Sequence, residues 1–183
     1  TEIRGNNGFR LLYINQPDAL VAGFTLSRGR SKNGARGGGL AIGSSGGNVE
    51  DCRVTASVSD WWGEASAVHQ AAGRVSRCLI DRNSFGFGQS GTVYLSGGLI
   101  ENCVIVNNRM HNDGGGLWIA GGVARNCTIV GNEASQNGSG VYRTGTGRLE
   151  NCIIWGNFHR AYTRGERNIH GATAATVINC CTP

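Results

Sequence analysis

The sequence predicts an all-β fold, a parallel β-helix of about seven coils, and three observations predict it. Cys52, Cys78, Cys103, Cys127 and Cys152 recur at separations of 26, 25, 24 and 25 residues, one period held four times. The residues around them keep a common register, with an apolar-x-apolar triplet, a glycine turn, an Asn-Cys strand and an Asn five residues after the cysteine. The triplets alternate with period two between glycines, and no segment carries a convincing apolar stripe at helical spacing. A repeat of about 25 residues built from short strands and turns stacks coil on coil, each strand one period from its counterpart at roughly 4.8 Å.

Taken in order, the coils begin with "VAGFTLSRG" (21 to 29), where Phe24 stands in the cysteine's place. Weak copies follow at 38 to 57 ("GGLAIGSSGGNVEDCRVTAS") and 66 to 83 ("SAVHQAAGRVSRCLIDRN"). The clearest three are "SGTVYLSGGLIENCVIVNN" (90 to 108), "GGGLWIAGGVARNCTIVGN" (114 to 132) and "GSGVYRTGTGRLENCIIWGN" (138 to 157). "VINCC" (177 to 181) restores the motif at Cys180. Alternation along each strand points Leu117, Ile119, Cys127 and Ile129 inward and Trp118 and Thr128 outward. Stacking then sets like on like. Val93, Leu117 and Val141 make one core column, and the cysteines, small and polarisable, make another. Asn83, Asn108, Asn132 and Asn157 form a polar column whose amides bond to each other and to neighbouring turns. Glycine supplies the positive φ that corners need.

The 183 residues are read as one domain, 1–183, within a longer protein, because the chain starts at Thr1 and shows no leader. It contains 31 glycines and two prolines, and no run of 18 apolar residues that would predict membrane insertion. Its net charge of +5 rests on arginine, since Lys32 is the single lysine. A solvated, mildly basic surface accounts for that balance. It is compatible with acidic glycans and is not read as a nucleic-acid footprint.

The motifs "GGGLWI", "NCTIVGNEAS" and "NCIIWGN", with the closing "NCCTP", resemble the right-handed parallel β-helix repeat proteins of pectin-lyase-like fold found on bacterial surfaces. The resemblance covers about residues 3 to 183. It implies a bacterial extracellular or cell-surface location and a place in a large secreted protein, many of which are adhesive or act on glycans.

No cofactor is expected, and no metal, because none of the cysteine spacings is Cys-x2-Cys and His69, His111, His159 and His170 sit at unrelated offsets. Stacked cysteines point the same way, which suits a disulfide dihedral poorly, so buried free thiols are expected. Cys180 is placed in the column and Cys181 outside it.

Function is sought on the outward ladders. Ala41, His69, Tyr94, Trp118 and Tyr142 occupy the middle of successive triplets, so one face carries four consecutive planar side chains. Such rings either stack on a sugar, with arginines such as Arg125 or Arg143 contacting acidic groups, or simply stack on each other. A second outward set, Leu79, Val104, Thr128 and Ile153 with Val106, Val130 and Trp155, forms an apolar strip broken at one end by Arg53 and Asp81. Strips of this kind are usually covered by a loop, a flanking domain or another chain. Among the loops, 28 to 38 is basic and glycine-rich, 59 to 66 carries Trp61 and Trp62 as binding candidates, and 158 to 175 is the longest departure from the repeat.

Catalysis is weakly supported. Polysaccharide hydrolysis needs two carboxylates across a groove. Glu101 and Glu150 lie two coils apart with Arg125 between, which reads as a neutralised charge ladder. His111 and Asp113 share a loop and are the remaining acid-base candidates. The sequence therefore points to a non-catalytic structural or adhesive module that contacts other protein chains or copies of itself. The alternatives are a carbohydrate-binding module or part of a polysaccharide lyase or hydrolase.

Overall fold

A computed structural model describes residues 1–60, 64–85, 91–160, 168–171 and 173–183, without the side chain of residue 85. Within them the chain winds through three seven-stranded parallel sheets. Sheet 1 comprises Leu12–Ile14, Leu40–Ile42, Val68–Gln70, Val93–Leu95, Leu117–Ile119, Val141–Arg143 and Ile169–His170. Sheet 2 comprises Leu20–Ala22, Asn48–Glu50, Arg74–Ser76, Leu99–Glu101, Val123–Arg125, Arg148–Glu150 and Val177–Ile178. Sheet 3 comprises Glu2–Arg4, Thr25–Ser27, Arg53–Thr55, Leu79–Asp81, Val104–Val106, Thr128–Val130 and Ile153–Trp155. The expected fold class and coil number therefore hold. Among the described residues no helix is long and apolar enough to cross a membrane.

The Asn-Cys motif has a backbone reason. The residue before each column cysteine takes the left-handed conformation, as Asp51, Arg77, Asn102, Asn126, Asn151 and Asn179 all do, with φ between 51° and 53°. Asparagine tolerates that region better than most side chains. One such residue turns the chain from sheet 2 into sheet 3. A second left-handed corner precedes the polar column, at Arg82, Asn107, Gly131 and Gly156.

Leu117, Ile119, Val93, Val141 and the cysteines from Cys52 to Cys152 are buried in one core, as the alternation predicts. All seven cysteines are free thiols. Cys103, Cys127 and Cys152 each donate to the carbonyl two residues earlier at 3.2 to 3.3 Å. Cys180 joins the column, its Sγ accepting from the Cys152 amide at 3.4 Å, and Cys181 is exposed.

The asparagine column also forms as read, and it is longer than its spacing rule. Asn157 Nδ2 donates to Asn168 Oδ1 at 2.8 Å, so the long insertion supplies the next member from an irregular position.

Candidate functional site

Sheet 1 holds the planar ladder on its outer face. In register, Tyr13 pairs with Ala41, Ala41 with His69, His69 with Tyr94, Tyr94 with Trp118, Trp118 with Tyr142, and Tyr142 with His170. His69 stacks on Tyr94 at 5.4 Å between centroids, and Tyr142 stacks on His170 at 5.1 Å. Trp118 stands edge-on to both neighbours, at 5.9 Å from Tyr94 and 4.6 Å from Tyr142. Its Nε1 donates to Thr144 Oγ1 at 3.1 Å, which fixes the indole's tilt. Parallel stacking one coil apart is what brings these rings together.

Three ladder features were not read from the sequence. Tyr13 and His170 extend the ladder at either end, Tyr13 as the middle of the triplet "LYI" and His170 after Ile169 in "NIHG", each in a poorly conforming coil. His69, read as an outward residue, is only 4% exposed. The basic loop explains this, because Gly34, Ala35 and Arg36 fold beside Ala41 and His69. Burial, then the charges of Arg36 and Arg10, push the His69 pKa down to about 4, so the ring is neutral near pH 7.

Recesses open beside this ladder. One, of about 350 Å³, is lined by Asn112, Asp113, Trp118 and Gln136. Asp113 was read as part of an acid-base pair with His111, but its Oδ1 accepts from the backbone N–H of Asn137 at 2.7 Å, holding the loop of the next coil. His111 Nδ1 lies 3.3 Å from Asn112 Oδ1. The second recess, of about 440 Å³, is bounded by Arg10, Tyr13, Arg36, Ala41, Ser44 and His69 among others. Trp61 and Trp62 lie outside the described residues.

The outer face of sheet 3 carries the apolar strip. Val104 is 39% exposed, Ile153 49% and Trp155 48%, with Val106 and Val130 half-buried between them. Phe158, 49% exposed, adds to the same end of the solenoid and was not singled out in the sequence. Toward the other end Arg53 and Asp81 replace apolar residues and pair with each other, Nε to Oδ1 at 2.9 Å and Nη2 to Oδ2 at 2.6 Å.

On sheet 2 the acidic residues are matched by arginines. Arg125 Nε donates to Glu150 at 3.0 Å, as the charge ladder predicts, whereas Glu101 takes Arg74 from the coil before, at 2.7 Å. Arg77 reaches both Glu50 and Asp51. Among the described residues, no three His, Cys, Asp or Glu side chains converge as metal ligands.

No curated protein and no solved structure matches the chain. A family model, described as the right handed beta helix region, matches residues 67–181, which span the last four complete coils and the closing Cys180–Cys181. That match covers more than half of the chain and agrees with the three stacked parallel sheets, so the chain belongs to the right-handed β-helix family.

Proposed function

We propose that this β-solenoid is a non-catalytic structural or adhesive module, on the surface of a bacterium or outside it, that meets another protein chain or a second copy of itself along the outer face of sheet 3. The observation that carries this reading is the exposed strip of Val104, Ile153 and Trp155, with the exposed Phe158 three residues further along the chain. Large apolar side chains gathered at one end of a sheet favour a partner, since each half-exposed side chain forfeits on the order of 1 kcal/mol of burial. Ile153–Trp155 is also an edge strand of sheet 3 among the described residues, its far side meeting only a bridge from Cys181. Cys181 already accepts from the Ile154 N–H and donates to the Cys152 carbonyl, so the apolar face rather than the strand edge carries this reading.

The test is sedimentation velocity, with electron microscopy, across a concentration series of the chain and of an Ile153→Lys/Trp155→Glu variant. Association or filaments in the parent and monomers in the variant are the expected result. Monomers of both at every concentration overturn self-assembly and leave a different chain as the partner.

A second reading has its own observation. The recess of Asn112, Asp113, Trp118 and Gln136 combines an indole with short polar side chains, the combination that packs on a sugar ring and bonds its hydroxyls. Carbohydrate binding there is tested on a glycan panel. Binding lost in Trp118→Ala while the fold persists supports it, and a panel without any saturable ligand removes it.

A further inference from the structure

The ladder on sheet 1 has one gap. Tyr13, His69, Tyr94, Trp118, Tyr142 and His170 each place a ring in this column, and Ala41 alone places a methyl group. The space of a missing side chain lies between Tyr13 and His69, and the recess of about 440 Å³ occupies it. Among the described residues its charged lining is Arg10 and Arg36, with no carboxylate.

Each side chain around the gap is positioned by something other than a ligand. Arg10 Nη1 donates to the Arg36 carbonyl at 2.9 Å, and its guanidinium lies 5.0 Å from the Tyr13 ring centroid. Among the described residues no carboxylate comes within 4 Å of Arg10. Arg36 is anchored by its ion pair with Glu64 at 2.8 Å. His69 is held by its stack on Tyr94, yet its Nε2 is sealed from solvent without a hydrogen-bond partner. A buried ring nitrogen left unpaired is costly and uncommon in folded proteins. The neighbouring recess, lined by Arg30 and Lys32 as well as Arg10, continues the positive charge.

We propose that Arg10, Arg36 and His69 form an oxyanion-binding site, which takes a sulfate, phosphate or carboxylate group into the gap that Ala41 leaves in the ladder. Two guanidinium groups supply charge-assisted donors, and the His69 ring forms the neutral wall of the recess between them and Tyr94. The hydroxyls of Tyr13 and Ser44 line the same recess and suit a polar ligand. That Arg36 and Arg10 both act on the His69 titration agrees with the two charges facing it. The site is independent of the sheet 3 strip and of the Trp118 recess.

The test is an NMR titration of the full chain, following the His69 ring and the Arg10 and Arg36 side chains at constant ionic strength. Inorganic sulfate and inorganic phosphate are the probes and chloride is the control. Arms with N-acetylglucosamine 6-sulfate and its unsulfated parent distinguish a free anion from an anionic group carried on a sugar. Saturable shifts confined to these residues are expected with sulfate or phosphate, weakened at least tenfold in Arg10→Gln and in Arg36→Gln. Tighter binding of the sulfated sugar than of sulfate, with none of the parent, assigns the source as a glycan. Equal or weaker binding assigns it as the free anion. Shifts that do not saturate, that match those with chloride, or that persist unchanged in Arg10→Gln overturn the proposal. Both variants alter side chains at the recess and leave the core columns intact, so retained dispersion of the core amides separates lost binding from lost fold.

Discussion

Asn108 and Asn132, one coil apart, share two hydrogen bonds: the backbone N–H and the side-chain Nδ2 of Asn108 both donate to Asn132 Oδ1 at 3.0 Å. Asn132 passes the pattern on, giving its own N–H and Nδ2 to Asn157 Oδ1 and a second Nδ2 bond to the Ile105 carbonyl at 2.9 Å. Every polar atom of the amide is used while the residue is fully buried. One side chain thereby satisfies the corner of the coil before it and is satisfied by the coil after it.

Replacing Asn132 by Ala leaves the Asn108 N–H and the Ile105 carbonyl buried without their partner. The expected loss is about 3 kcal/mol, since two or more buried groups lose their bonds. Asn132→Asp keeps the shape and is expected to cost at least as much, because it removes the Nδ2 donor and buries a charge. Equilibrium urea unfolding of each variant measures this. A loss under 1 kcal/mol for both contradicts the column's structural role.

The left-handed corners give a second prediction. Asn126 sits at φ 52° on the turn into sheet 3, with an exposed side chain. Asn126→Val forces a β-branched residue into this region and is expected to destabilise by about 1 to 2 kcal/mol. Asn126→Gly is expected to stay within about 1 kcal/mol of the parent, because relief of strain offsets greater freedom in the unfolded chain. Thermal unfolding of the pair separates backbone strain from loss of the weak Asn126–Asn102 side-chain bond at 3.3 Å, which both variants remove.

These residues also show why the sequence exposes some of the structure and hides the rest. A stacked coil places each residue against its own counterpart, so a ladder repeats in the sequence at the same period as in space. Cys103 and Asn132 could be assigned to columns for that reason. The planar ladder was legible through Tyr94, Trp118 and Tyr142 and less so at Tyr13, whose coil lacks the Asn-Cys motif. Loops carry no period. That the 28–38 loop lies beside His69, or that Asn168 rejoins the polar column, follows from packing between segments whose spacing is irregular. The Ala41 gap was visible as a small residue in the list, but its two arginines come from Arg10 and Arg36, outside the triplets.

Thiol accessibility gives a third prediction. Cys52, Cys78, Cys103, Cys127 and Cys152 are buried, Cys180 is half-buried and Cys181 is exposed. A thiol reagent added to the native protein is expected to modify Cys181 promptly and Cys180 slowly. The five column thiols are expected to react only at the rate of unfolding or in denaturant. Mass spectrometry of peptides after a timed reaction reads this directly. Prompt labelling of Cys103 or Cys127 is incompatible with the core described above.

The neutral state of His69 gives a pH dependence whose sign is fixed. Its native pKa, pushed down to about 4 by burial and by Arg36 and Arg10, lies below the value of about 6.5 expected in the unfolded chain. Above pH 6.5 both states are neutral and stability is unaffected. Between pH 6.5 and 4 the unfolded chain takes up a proton that the folded chain refuses, so stability falls as the solution is acidified. The full difference of about 2.5 pH units corresponds to about 3 kcal/mol. Tyr13, Tyr94, Arg10 and Arg36 surround the ring, with Glu64 paired to Arg36 beyond it. The depressed carboxyls Asp51 and Asp81 act lower, as the pH falls below the ordinary carboxylate value. His69→Phe preserves a ring against Tyr94 and removes the titration. Urea unfolding of parent and variant at several pH values between 7 and 4 is therefore expected to show a stability difference that shifts in the variant's favour as pH falls. A difference constant across that range rejects a neutral, desolvated His69 in the native state.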